Sequence, residues 1–349
     1  MSMNQKELAE RLNLSRTTVS RCFTNHPKIN PETRARVFEL AADLGYAYSP
    51  PRNATEEIVR EQDTVVVLVG RPSNAREKDN MSREILVGIS EWLASRKLHL
   101  KVQYQDPVEF RLQPRVRRIL PGMTNRNILG FILMFPFQES SIENLITKFP
   151  TICALDDYED LEVDCVDIDQ TRGIARMTRH LFELGHRELG FVSWKYKLPT
   201  PWVERRFGAF VENLYRYKLP FREDRVVNVS RTGQIEPEAV VEAVLKMVSG
   251  GVTGVVCAAD HQAYPLAAAL RERGLRVPGD VSLTGFDGIR PPEGEPQMTT
   301  VGMPFRDIGI SSVVSLLRRV SHPSAPRRHI LVCGRSMIGE TTSPPMKKR

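Results

Sequence analysis

The 349-residue sequence contains no run approaching the ~18 apolar residues of a membrane span. Its opening, MSMNQKELAE, lacks the apolar core that an export signal needs. Its five cysteines, at positions 22, 153, 165, 257 and 333, form no C-x-x-C pair. That argues against a zinc site and for free thiols in a reducing cytoplasm. Neither G-x-x-x-x-G-K-[ST] nor G-x-G-x-x-G occurs, so no phosphate loop is expected. Asp260 and His261 are adjacent, which does not make a catalytic triad, and His180 and His186 read as helix-terminal residues rather than metal ligands. These absences exclude the common enzyme classes and imply neither cofactor nor metal. What remains is ordinary globular composition, 41% hydrophobic and 26% charged, with a net charge of +7 that suits a polyanionic partner.

Residues 5–24, QKELAERLNLSRTTVSRCFT, hold the clearest pattern. Leu8, Ala9 and Leu12 make one apolar stripe at helical spacing, and Leu14, Val19 and Cys22 make a second after a break at Asn13. Small Ala9 lets a second helix cross close to the first. Asn13 stands at the sharp turn, where Asn tolerates the left-handed conformation. Ser15 suits the N-cap of the second helix. The outward face of that helix then carries Arg16, Thr17, Ser20 and Arg21, side chains suited to base edges and phosphates. Arg11, Arg16, Arg21 and Lys28 lie in a stretch free of Asp and Glu, whereas a merely solvated face would mix signs. This is a helix-turn-helix, and it implies double-stranded DNA as a partner.

A third helix follows, with Asn30 as its cap, Pro31 in its first turn, and Val37, Leu40, Ala41 and Leu44 along one face. Residues 1–47 thus form a small all-α domain, and 48–62, opening with Pro50 and Pro51, form a linker. Beyond it strand and helix alternate: TVVVLVG at 64–70, REILVGISEWLASR at 83–96, ILGFILMF at 128–135, and onward to VSLTGFD at 281–287. Such alternation predicts parallel sheets with helices on both faces, and the number of strands predicts two lobes. The expected class is α/β: an N-terminal helical domain, then two doubly wound lobes over 63–340. The first lobe is expected at about 63–187 and 303–322, the second at about 188–300 and 325–340, and a tail at 341–349. Ligands of such sheets bind at the carboxyl ends of the strands, here in a cleft between lobes.

LSRTTVSRCF, NPETRARVFELAADLGY, DIDQTRGIARMTRHLFELGHREL, ERRFGAF, GLRVPGDVSLTGFDGI, PQMTTVGMPFRDIG and GRSMIG together resemble the LacI/GalR family of bacterial transcription regulators, over nearly the whole chain. The resemblance implies a cytoplasmic homodimer, usually a repressor, on a near-palindromic operator. It also implies a periplasmic-binding-protein-like core that takes a small molecule, most often a sugar. The linker departs from the family pattern. YSPPRNATEEIV lacks the apolar residue that would wedge into the minor groove and recover the unstacking cost of a few kcal/mol. GFDGI stands where GFDD is commoner.

By this resemblance Arg16, Thr17 and Arg21 reach bases, with a phosphate contact the alternative for Arg21. Ser15, Thr18, Ser20 and Asn30 position the helix on phosphates, with packing the alternative for Thr18. Arg205 is the expected cleft arginine, in a register set by Gly208, with Arg206 beside it on the surface face. Asp287 is expected to accept from ligand hydroxyls. Asp260 caps the helix from His261, orients the cleft, or does both. Trp194 and Trp202, with Tyr196, are expected either to stack on a ligand ring or to pack in the core. Ser82 and Arg83, at the end of the loop RPSNAREKDNMSR (71–83) after the first core strand, complete the expected effector set.

Overall fold

The structure, a computed structural model, describes residues 4–23, 28–44, 46, 63–70, 80–108, 110, 128–158, 160–196, 201–229 and 233–346. The expected linker at 48–62, residues 71–79 of the following loop and the last three residues of the tail lie outside them. The chain divides into two compact units, residues 1–60 and 61–349.

In the first unit, α1 (Gln5–Leu12), α2 (Arg16–Phe23) and α3 (Pro31–Asp43) pack about one small core. Leu8, Ala9, Val19, Cys22, Val37 and Ala41 are buried in it. Asn4 caps α1 in a reciprocal box with Glu7, a signature present in the sequence as N-x-x-E. Asn13 ends α1 at φ 53°, the left-handed turn that lets Leu14 N–H bond back to the Ala9 carbonyl at 2.9 Å.

The second unit begins with β1 (Thr64–Gly70), α4 (Asn80–Ala94), β2 (His99–Gln105), β3 (Ile128–Met134), α5 (Glu139–Ile146), β4 (Thr151–Ala154) and β5 (Asp164–Ile168). It continues with α6 (Gln170–Glu183), β6 (Leu189–Val192), α7 (Pro201–Arg216), β7 (Val226–Val227), α8 (Pro237–Ser249), β8 (Gly254–Cys257), α9 (Asp260–Glu272) and β9 (Ser282–Thr284). Then come β10 (Thr300–Gly302), α10 (Phe305–Ser321), β11 (His329–Val332) and β12 (Arg335–Met337). One parallel sheet has the order β11-β5-β4-β3-β1-β2, and a second has the order β7-β6-β8-β9. Strands β1 and β3 are buried along their whole length, as strands covered by helices on both faces must be. β10 and β12 pair antiparallel as a short ribbon where the chain passes between lobes.

The larger sheet and the smaller sheet define the first and second lobes, but three expected boundaries are corrected. One is the start of the tail: Thr341 is buried and bonded to Thr299 and Leu283, and Ser343 N–H donates to Ser282, so 341–343 pack with the second lobe. The first crossover falls at Asp169, not near 187. Helix α6 packs its Ile174, Met177 and Leu181 with Leu189, Phe191 and Phe210 of the second lobe. The stretch after α10 also changes lobe. Arg319 and Asp164, both buried, pair at 2.6 Å, and Arg319 also donates to the carbonyls of Pro323 and Ala325. The Asp164 carboxylate accepts the Arg328 N–H as well, at 2.8 Å. This staple folds residues 322–328 back so that β11 joins the first sheet beside β5.

Helices α4 and α10 meet at their backbones. A methyl group on Gly88 would run into the Arg306 carbonyl, and one on Gly309 into that of Ile85. Only glycine at both positions permits this approach.

Candidate functional site

Two separate sites emerge, one in each unit. In the first, Val19 and Cys22 turn α2 inward with no exposed surface, so the opposite side must face out. Arg16, Thr17 and Arg21 are exposed there, and Ser20 is half-exposed. Ser15 Oγ accepts the Thr18 N–H at 3.0 Å and shares a 2.8 Å hydrogen bond with Thr18 Oγ1. Two hydroxyls hold two protons, and that shared bond uses one. The other stays available beside the positive end of α2, where a phosphate oxygen is favoured. Asn30 accepts the Glu32 N–H at 2.8 Å and so caps α3.

In the second unit the polar residues gather at the carboxyl ends of β4, β5, β6 and β8. Arg206 is the hub. Helix α7 buries Val203, Arg206, Ala209, Phe210, Asn213 and Leu214, a stripe of period 3.6 that contains Arg206 and leaves Arg205 on its flank. Arg206 Nε donates to Gln170 Oε1 at 2.6 Å, Nη1 donates to the Ala258 carbonyl, and Nη2 lies 3.4 Å from Asp287 Oδ1. Its guanidinium is sandwiched, 3.7 Å from the Phe286 ring centre and 4.5 Å from that of Trp202. Both faces are thus covered, and only the edge is left for hydrogen bonding. Gln170 passes the chain on, its amide donating to both oxygens of Asp167 at 3.2 and 3.1 Å. A continuous polar path therefore runs from Asp287 and Arg206 to Gln170 and Asp167, tying α7, the first crossover and β5 together.

Asp287 itself sits at φ 123°, a conformation costly for any residue but glycine. Its backbone is clamped, its N–H bonded to the Val301 carbonyl at 3.0 Å and its carbonyl to the Met303 N–H at 3.1 Å. Asp260 lies fully buried beneath it. One Asp260 oxygen accepts the N–H groups of Gly288 and Ile289 at 2.7 and 3.0 Å, and the other accepts the Thr300 hydroxyl at 2.7 Å. A side chain on Gly285 would strike this carboxylate. Burial, then the neighbouring Asp287 charge, push Asp260 up to about 7. Asp260 is thus a positioning group for the Asp287 loop, and Ala259 occupies the cap position of α9. Burial also raises Asp156 and Asp167, each on the first-lobe side.

The aromatic side chains line the second-lobe wall. Tyr196 packs edge-on to Trp202 with ring centres 5.4 Å apart, and Trp194 packs edge-on to His261 at 6.1 Å. Tyr196 Oη lies 2.9 Å from His261 Nε2 and accepts from the Gln262 amide, while His261 Nδ1 stands 4.0 Å from Asp287. Trp194 and Trp202 are half-buried, each with one side on a core cluster.

Several sequence expectations are corrected. Arg205 is not the buried arginine; it reaches across to Asp157 of the first lobe, and Arg206 occupies the inner position. The register had been taken from Gly208, yet Gly208 has open space around it and constrains nothing. The helical stripe was the better guide. Ser82 and Arg83, expected in the loop after the first core strand, fall instead in α4, Ser82 buried and Arg83 exposed. Gln170, Asp156, Asp157, Asp167, Gln262 and His329 join these groups without having been singled out in the sequence; Asp167 and Gln170 lie in the DIDQTRG stretch, but the Arg206 that draws Gln170 in is 36 positions further on.

Residues 5–49 match the family described as bacterial regulatory proteins, lacI family, and residues 178–342 match the periplasmic binding protein-like domain. Catabolite control protein A of Priestia megaterium is 26% identical over 88% of this chain and 90% of its own length. The transcriptional repressor CytR of Escherichia coli is 26% identical over 89% of this chain and 88% of its own. Among solved structures, a complex of the regulator CelR with cellobiose covers 97% of this chain and 99% of its own at 21% identity and TM-score 0.66. A lac repressor dimer bound to operator covers 98% of this chain and all of its own at 20% identity and TM-score 0.61. The two units are therefore a helix-turn-helix domain of the lacI type and a core with a periplasmic-binding-protein-like fold. The chain thus joins a lacI-family helix-turn-helix domain to a periplasmic-binding-protein-like domain, and the relatives it matches along most of its length are transcription regulators.

Proposed function

We propose that this protein is a cytoplasmic, homodimeric transcriptional repressor, without enzymatic activity, that binds a near-palindromic operator and is controlled by a sugar or sugar derivative held between its lobes. The observation that carries the reading is the pairing, in one chain, of an exposed polar α2 face with a buried polar path at the strand ends of a two-lobed core. Arg16, Thr17 and Arg21 contact bases, while Ser15, Thr18, Ser20 and Asn30 contact or orient toward phosphates. Residues 1–47 act as the DNA-binding domain and 48–62 as the linker.

In the core, the Arg206 edge and the Asp287 carboxylate offer a donor and an acceptor side by side. Vicinal hydroxyls donate and accept, so a polyhydroxylated ring satisfies both. Trp202, Trp194 and Tyr196 supply apolar ring faces for its C–H surfaces. The charges of Arg205 and Arg206 are already matched by Asp157 and Asp287, which favours a neutral ligand over a phosphorylated or acidic one. The ligand acts by binding one lobe arrangement better than another, and operator affinity follows that balance.

The test is selection of bound fragments from sheared genomic DNA of the source organism, with purified protein at physiological salt. Recovery of a near-palindrome beside sugar-uptake or catabolic genes, released by a neutral sugar those genes handle, supports the proposal. Recovery of sequence-blind, salt-sensitive binding alone would sink it.

A further inference from the structure

We infer that Arg205 and Asp157 form an ionic latch that holds the two lobes together across the mouth of the cleft before any small molecule enters. The pair is the ion pair that joins α7 of the second lobe to the loop after β4 of the first among the described residues. Arg205 Nη2 donates to Asp157 Oδ1, and the other carboxylate oxygen of Asp157 lies 3.3 Å from His329 Nδ1 at the start of β11. Asp157 is held from behind as well, its N–H bonded to the Asp156 carboxylate at 3.0 Å. The first-lobe half of the latch is therefore fixed in place, and the second-lobe half is a long side chain that reaches over the gap.

The arrangement differs from an ordinary surface pair. Asp157 is only 15% exposed and Arg205 35%, so water and salt screen them less than they would two free surface charges. The partners lie on separate bodies joined by crossovers, so the bond opens whenever the lobes part. An interaction too weak to alter folding still shifts a balanced lobe equilibrium. Arg205 Nη1 is also buried and has no partner. A ligand oxygen at the mouth would satisfy it and tighten the latch, which couples occupancy to closure. That last consequence rests on the small-molecule reading above; the latch itself does not.

The experiment uses the full chain without ligand. Spin labels are placed at Asn144→Cys on the first lobe and Ser249→Cys on the second, both exposed positions, in a Cys333→Ser background that removes the one exposed native thiol among the described residues. The inter-label distance distribution is read at low and high salt. The parent should be mostly closed and should open as salt rises. Arg205→Gln should raise the open-to-closed ratio about three- to tenfold and abolish the salt response. Asp157→Asn should open it too, yet add nothing to Arg205→Gln when combined, and Arg205→Lys should retain part of the closure. A distribution unchanged in Arg205→Gln, or additive effects of the two substitutions, would overturn the latch. Neither result touches operator binding, so the proposed function is tested separately.

Discussion

Arg206 and Asp287 face each other 3.4 Å apart with 4% and 7% of their side chains exposed, and neither charge has water to fall back on. The separation is long for a charged hydrogen bond, while the bonds from Arg206 to Gln170 and Ala258 are tight. The protein thus holds the arginine firmly and the carboxylate loosely. A ligand hydroxyl approaching both from the side would gain two partners without first breaking a strong bond.

Removing the guanidinium should be costly. Arg206→Ala leaves Asp287, Gln170 and the Ala258 carbonyl buried without their donor and is expected to destabilise the core by about 3–5 kcal/mol. Arg205→Ala, at a half-exposed position, should cost under about 1 kcal/mol. Chemical denaturation of both variants checks the pair of values. A larger cost for Arg205→Ala than for Arg206→Ala would mean that the inner and outer arginines have been assigned the wrong way round.

Arg16→Ala should leave the helical domain folded, because the side chain is exposed on α2. Binding should lose about 1–3 kcal/mol of discrimination at one operator position. Competition between operator variants reads this out. A uniform loss on every sequence would instead make Arg16 a phosphate contact.

Ser15 serves both folding and binding, and two substitutions separate the roles. Ser15→Ala removes the acceptor for the Thr18 N–H and should destabilise the small domain by about 1 kcal/mol. Ser15→Asp keeps an acceptor there and should preserve its melting behaviour, but it sets a negative charge where a phosphate is expected and should weaken operator binding. Thermal melts alongside binding isotherms decide. Intact binding in Ser15→Asp would remove Ser15 from the DNA-facing set.

Asp260 gives a pH signature. Its folded value of about 7 stands above the ordinary value of 3.8, so the folded state keeps the proton between the two. The stability tied to that proton is fully present below about pH 4 and is lost as pH rises through about 7. Asp260→Asn stays neutral and still accepts from Gly288 and Ile289. Its melting temperature relative to the parent should therefore climb between about pH 5 and pH 8. Asp156 and Asp167 are also raised, but both proteins contain them, so the comparison cancels their part. A difference that does not vary with pH would refute the assignment.

Local geometry is where the amino-acid sequence alone was decisive. The turn at Asn13, the caps at Ser15 and Asn30, and the outward face of α2 each depend on residues within a few positions of one another. Alternating strand and helix patterns determined the class of the core in the same way. The apolar stripe of Val203, Ala209, Phe210 and Leu214 already favours Arg206 as the inner arginine, but tertiary structure alone decided what it meets: Gln170, the Ala258 carbonyl and Asp287, 36, 52 and 81 positions away. It also decided that residues 329–332 return to the first sheet, because that return is held by Arg319 and Asp164, 155 positions apart. The path from Asp287 through Arg206 and Gln170 to Asp167 was illegible for the same reason. Its links join residues whose separation in the chain carries no periodic trace, and they exist only once two lobes have folded against each other.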